Sequence, residues 1–126
     1  MTQRCVLIVD DEYRLREVIC MTLEIMTSWK ILGADSGQAG IEMARSHSPD
    51  AIVLDLMMPE MDGVTTFQKL QADAATAHIP VVLLTAQDGA NYQADVVNIP
   101  FAAHIAKPFD TVHLAEEIAG HLGWEL

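Results

Sequence analysis

Four short apolar runs, each unbroken and each followed by a residue suited to phosphate chemistry, constrain this chain more than any other feature. The run 5–9 leads into Asp10 and Asp11, 51–54 into Asp55, 81–84 into Thr85, and 102–106 into Lys107. Such runs, aliphatic and without alternation, are expected of strands buried on both faces of a parallel sheet. Open α/β sheets bind ligands beyond the carboxyl ends of their strands. Acids, a hydroxyl and an ammonium therefore converge on one edge, which is the candidate site.

With 126 residues, 51% of them hydrophobic, the chain has a single-domain length and enough apolar content for one core. One domain over 1–126 is expected. Seven Lys plus Arg against eighteen Asp plus Glu give a formal charge of −11, which repels nucleic acid and anionic membranes. Neither direct nucleic-acid binding nor membrane insertion is expected. No stretch approaches the roughly 20 apolar residues that span a bilayer. Residues 1–4 run into a strand without a signal-peptide pattern, so a cytoplasmic location is the expectation. Cys5 and Cys20 lack the spacing of a zinc or redox motif and read as buried free thiols. After Lys69 the only Lys or Arg is Lys107, and a lone cation in an acidic half points to a specific task.

Apolar residues Leu15, Val18, Ile19, Leu23 and Met26 predict an amphipathic helix over 12–26, with Asp10 or Asp11 placed to cap it. Residues 29–34 read as a mixed strand at the sheet edge, followed by a helix from Ser36 to about residue 46. A loop over 56–62 precedes a helix over 63–71, with Val64, Phe67 and Leu70 on one face. A short helix over 90–97 is the weakest prediction. The last helix is expected from 109 or 110 to 121, burying Val112, Ala115, Ile118, Ala119 and Leu122 and stopping at Gly123. Five strands alternating with five helices demand right-handed crossovers and a three-layer doubly wound domain.

Three carboxylates in one crevice repel unless a cation joins them, and an all-oxygen donor set with few protein ligands suits Mg²⁺. Capping of the first helix is the alternative role for Asp10 and Asp11, but Asp55, followed by a Met-rich loop, has no helix to cap. Thr85 can donate to one phosphate oxygen and Lys107 can balance another. An ordinary strand threonine and a surface lysine are the plainer readings of those two. Together the residues suit an acyl phosphate on Asp55, since aspartate is a known phosphoryl nucleophile and the transfer needs alignment, a metal and charge neutralisation.

The segments Val6-Leu7-Ile8-Val9-Asp10-Asp11-Glu12, Asp55-Leu56-Met57-Met58-Pro59-Glu60-Met61-Asp62-Gly63, Ile79-Pro80-Val81-Val82-Leu83-Leu84-Thr85-Ala86 and Lys107-Pro108-Phe109 resemble, in order and separation, the signature blocks of the response-regulator receiver domain, as in stand-alone chemotaxis-type receivers. The resemblance covers essentially the whole chain. It implies a flavodoxin-like α/β/α fold with a five-stranded parallel sheet ordered 2-1-3-4-5. It also implies Mg²⁺-dependent phosphorylation of Asp55 by a sensor histidine kinase or phosphotransfer protein, read out by a downstream protein target. Carried over, Asp11 and Asp55 would ligate Mg²⁺, Met57 would add a backbone carbonyl, and Asp10 would act mainly through water. Thr85 and Lys107 would hold the phosphoryl oxygens, and Lys107-Pro108 is a candidate cis bond. The chain would be a phosphoacceptor, not a turnover enzyme.

Several positions depart from that pattern. His104 stands where the family has a switching aromatic, so Thr85 and His104 form the expected switch, with His104 bringing sensitivity near neutral pH; a partly exposed strand residue is the plain alternative. Pro100 and Phe101 replace a small flexible pair. Tyr92, Val96, Val97, Ile99 and Phe101 form either a partner patch or ordinary core. Met57 and Gln87 would flank the phosphoryl group and govern water access. His47, His78, His113 and His121 form no metal-like cluster. An aspartate-nucleophile phosphatase of the haloacid-dehalogenase kind would need an acid where Met57 stands. A flavodoxin-like nucleotide binder would need a Gly-rich loop after the first strand. A phosphorylation-independent scaffold is the remaining alternative.

Overall fold

The computed structural model describes residues 3–86, 99–107 and 109–125. The order is β1 (Cys5–Val9), α1 (Tyr13–Met26), β2 (Lys30–Ala34), α2 (Gly37–His47), β3 (Ala51–Asp55), α3 (Gly63–Gln71), β4 (Val81–Ala86), β5 (Ala103–Lys107) and α4 (Thr111–Leu122). All pairings are parallel and the strand order is β2-β1-β3-β4-β5. The expected flavodoxin-like sheet is thus formed, with β2 at an edge. The helix expected over 90–97 lies outside the described residues.

Because side chains alternate across a strand, each central strand supplies two cores. Val6, Ile8, Val53, Val82, Leu84 and Ile105 pack with Ile19 and Leu23 of α1 and Leu114 and Ile118 of α4. Leu7, Val9, Ile52, Leu54, Val81 and Leu83 pack with Ile41 and Ala44 of α2 and Phe67 and Leu70 of α3. The helices therefore form two outer layers. Gly40 makes one contact possible, since a Cβ there would lie 2.8 Å from a Val9 methyl; α2 can rest on β1 only through a bare backbone.

Local signals at the helix ends match the sequence. Ser36 accepts from the Ala39 N–H, Asp62 from the Thr65 N–H and Asp110 from the Val112 N–H, each satisfying an otherwise orphaned donor. Gly123 closes α4 at φ 71°, the left-handed geometry that glycine tolerates. Three expectations are corrected. Neither Asp10 nor Asp11 caps α1: the N-cap position is Glu12, without a side-chain cap bond, because both acids lie in the turn before it. Cys5 and Cys20 are free but only half-buried, and burial with neighbouring acids pushes the Cys20 thiol up to about 11, which makes it a poor nucleophile. Val18, Met26 and Val112 are exposed, not core, since each helix has more apolar positions than its sheet-facing side can use.

Candidate site at the carboxyl edge of the sheet

Strand parity aims the site. Asp55 in β3 and Lys107 in β5 continue the rows of Val53 and Ile105, and Asp10, one step past β1, continues that of Ile8. All three extend rows on the side of α1 and α4. Register places them level, with Val9 opposite Leu54 and Asp55 opposite Leu84. Carboxylate oxygens of Asp10, Asp11 and Asp55 lie within 4.8 Å of one another. The Lys107 ammonium stands 3.0 Å from Asp55 Oδ1 and 4.0 Å from Asp10 Oδ2. Asp10 and Asp55 are buried and Asp11 is exposed, so the cluster opens to solvent on one side.

Electrostatically the cluster is unbalanced, three carboxylates against one ammonium among the described residues. Burial, then the neighbouring Asp55 charge, push the Asp10 carboxyl up to about 6, against the pull of the Glu12 N–H and the Lys107 ammonium. Burial also raises the Asp55 carboxyl, opposed by Lys107 and by the Met57 backbone N–H. Asp10 Oδ1 accepts from the Glu12 N–H at 2.9 Å. Its buried Oδ2 has no hydrogen-bond partner among the described residues, a state that costs about 1–3 kcal/mol. A hard cation would relieve both the repulsion and the orphaned oxygen. The all-carboxylate donor set, open to water at Asp11, fits a small divalent cation that keeps part of its hydration shell.

The other expected residues are placed as follows. Thr85 is buried at the same edge, continuing the row of Leu83 on the α2/α3 side. Met57 follows Asp55 in the loop with its side chain half exposed. His104 is not brought into the cluster: it is exposed, three residues before Lys107, with its ring edge-on to Phe101 at 5.6 Å. Phe101 stacks on Phe67 at 4.4 Å, and both Phe101 and Ile99 are half-buried against the α2/α3 core. That favours core over patch for those two; Tyr92, Val96 and Val97 lie outside the described residues, as do Gln87 and Pro108.

Two residues at this edge escape a reading of motifs for their chemistry. Arg16 of α1 donates to the Asp10 carbonyl at 2.8 Å. Gly63, the first residue of α3, supports Asp55 from behind: a Cβ there would sit 2.8 Å from both the Asp55 carbonyl oxygen and Leu56 Cα. Its signal was its place at the end of the block from Asp55 to Gly63, a motif whose chemistry gave the glycine no role. Both obstructing atoms are backbone, so Gly63→Ala must move the end of β3. A loss of about 1–3 kcal/mol, read from the urea midpoint, is expected, with weaker metal binding at the displaced Asp55.

Comparison with known proteins settles the family. A model described as the response regulator receiver domain matches residues 6–119. The chain belongs to this family. Receiver-domain relatives include the response regulator PleD of Caulobacter vibrioides, 39% identical over 112 residues, covering 86% of this chain and 24% of PleD. The N-terminal domain of a response regulator receiver protein from Methanoculleus marisnigri is 31% identical with a TM-score of 0.75, covering 98% of this chain and all of that one. The receiver domain of a sensor histidine kinase from Pseudomonas aeruginosa, solved with magnesium coordinated in its active-site cleft, has a TM-score of 0.85 at 21% identity over 97% of this chain and 99% of its own; at that identity the likeness concerns the fold. The chain spans about half the length, or less, of the curated relatives it matches. No helix among the described residues is long and apolar enough to cross a membrane.

Proposed function

We propose that this receiver domain is the phosphoacceptor of a two-component phosphorelay, taking a phosphoryl group onto Asp55 from the phosphohistidine of a sensor histidine kinase or phosphotransfer protein. The observation that carries this reading is the Lys107 ammonium 3.0 Å from Asp55 Oδ1, beside carboxylates gathered within 4.8 Å. An Asp55 oxygen forms the new P–O bond as the P–N bond to the donor imidazole breaks, and the bonding pair stays with the imidazole nitrogen. Asp10, Asp11 and Asp55, with the Met57 carbonyl, would hold Mg²⁺, which supplies charge neutralisation for the phosphoryl oxygens. Lys107 balances the negative charge at the acceptor, and Thr85 offers a hydroxyl donor. Thr85 and His104 lie on the same side of adjacent strands, Leu83 pairing with His104, which supports their assignment to the switch. Phosphorylation then alters contacts with a downstream protein target.

Incubation with Mg²⁺ and a small acyl phosphate, followed by intact mass measurement, tests the reading. Uptake of one phosphoryl group supports it; turnover of many substrate molecules per chain would indicate a phosphatase, and no uptake a phosphorylation-independent scaffold.

Helix α1 packs on the sheet face whose rows Asp55 and Lys107 continue, and its outer stripe Val18, Met21 and Ile25 is 47%, 58% and 78% exposed at the three- and four-residue spacing of a single helix face. We assign this stripe to the phosphodonor protein. Ile25→Glu is expected to leave stability within about 0.5 kcal/mol, as an exposed change should. Transfer from the partner protein should slow by about tenfold, the equivalent of roughly 1.4 kcal/mol of docking, while uptake from a small acyl phosphate is unchanged. Equal rates with the protein donor would remove the stripe from the docking surface.

A further inference from the structure

We propose that Arg16 is a positioning residue for the metal-binding turn, gripping the peptide that joins Asp10 to Asp11 so that both carboxylates face the cluster. The proposal rests on the reading of that cluster as a Mg²⁺ site. Asp10 is the first residue beyond β1, where the ladder with β3 has ended at the pair Val9 and Leu54. Its N–H still donates to the Ala34 carbonyl at 3.1 Å, but its own carbonyl receives Arg16 Nη1 at 2.8 Å, a charged side chain standing in for a strand partner. A peptide group is planar, so holding this carbonyl sets the direction of the Asp11 N–H and of the chain leaving it. The Glu12 N–H, two residues on, donates to Asp10 Oδ1 and leaves Oδ2 as the buried, unpartnered oxygen at the cluster. The grip on the carbonyl and the bond to Oδ1 together fix where Oδ2 points.

The route of the Arg16 side chain is also built. Its stem crosses β2 at Gly33, where a Cβ would lie 3.5 Å from Arg16 Cδ and 3.6 Å from Cys20 Sγ. The guanidinium lies 5.4 Å from the Tyr13 ring centroid. Gly33 is exposed and belongs to the edge strand, so a larger side chain there perturbs Arg16 without touching any carboxylate.

Outer partners that orient metal ligands typically carry about ten- to hundred-fold in metal affinity. Arg16→Met keeps the stem and removes the donors, whereas Arg16→Lys restores one donor. Calorimetric titration with Mg²⁺ at neutral pH is expected to show affinity at least about tenfold weaker in Arg16→Met, with most of the loss recovered in Arg16→Lys. Amide exchange of Glu12 in chelator should quicken in Arg16→Met by a similar factor. Gly33→Ile, which crowds the stem, is expected to reproduce the loss, and the double variant to lose no more than either single one. Parent-like affinity in Arg16→Met, or an equal loss in Arg16→Met and Arg16→Lys, overturns the proposal. If Arg16→Met does not fold, Gly33→Ile decides it, parent-like affinity again overturning it. Failure of the parent to bind Mg²⁺ would sink the functional reading instead, and the metal-free exchange of Glu12 would still judge Arg16.

Discussion

Replacing Asp55 by Asn is expected to abolish phosphoryl uptake, measured as the absence of any added mass after exposure to Mg²⁺ and a small acyl phosphate. The amide supplies neither the anionic oxygen that attacks phosphorus nor the charge that helps hold a cation. Neighbouring acids cannot substitute: Asp10 is 1% exposed and its Oδ1 is engaged by the Glu12 N–H, while Asp11 lacks the lysine contact made by Asp55. Transfer of this kind depends on in-line alignment, so a carboxylate displaced to the next position does not inherit the reaction. The loss should not reflect unfolding. Burial already raises the Asp55 carboxyl, so a neutral isostere relieves repulsion from Asp10 and Asp11, and in chelator the variant should be at least as stable as the parent. A phosphoryl group still acquired by Asp55→Asn would place the nucleophile elsewhere and end this account.

The second large effect is on stability, and it runs opposite to ordinary acid denaturation. Burial pushes the folded Asp10 carboxyl up to about 6, above the ordinary carboxylate range near about 4, so in the metal-free protein the folded state holds its proton more tightly than the unfolded chain. Its favourable contribution is complete below about pH 4, falls as pH rises through 6, and is absent above that. The loss at neutral pH is on the order of 2–3 kcal/mol. Urea unfolding in chelator should therefore show stability declining between about pH 4 and pH 7. Mg²⁺ at about a hundred times its dissociation constant should restore about 2.7 kcal/mol at neutral pH and little near pH 4, where protons compete for the carboxylates. Asp10→Asn should flatten the decline, which separates this carboxyl from the general repulsion of a chain carrying −11. A metal-free parent with the same stability at pH 4.5 and pH 7, or a decline undiminished in Asp10→Asn, would show that Asp10 carries no such penalty.

The legible part of this protein lies in what a strand imposes on the residues along it. Unbroken runs marked β1, β3 and β4 as doubly covered strands, and the polar residue ending each run marked one edge. The alternation that divides Val53 from Leu54 between two cores also sends Asp55 and Lys107 to one side of the sheet. Helix α1 was less legible. Its apolar residues nearly encircle it, and the spacing that selected Leu15, Val18, Ile19, Leu23 and Met26 could not tell which of them β1 and α4 would cover. Only Ile19 and Leu23 are fully covered, while Val18 and Met26 face outward. Val112 of α4 failed for the same reason. His104 was expected beside Thr85 in the switch only through the family resemblance; parity turns it to the α2/α3 side, against Phe101 and on the same face as Thr85.

By itself, then, the sequence determined the strands, the layer count and the acids, hydroxyl and ammonium of the site, because periodicity and the end of an apolar run are properties of consecutive residues. Tertiary structure alone decided the contacts that make those groups a site: Lys107 against Asp55, Arg16 on the Asp10 carbonyl across a bare Gly33, and Gly63 pressed on the backbone of Asp55. Each joins residues from different elements whose approach depends on how helices seat on the twisted sheet, and no local pattern along the chain encodes that distance.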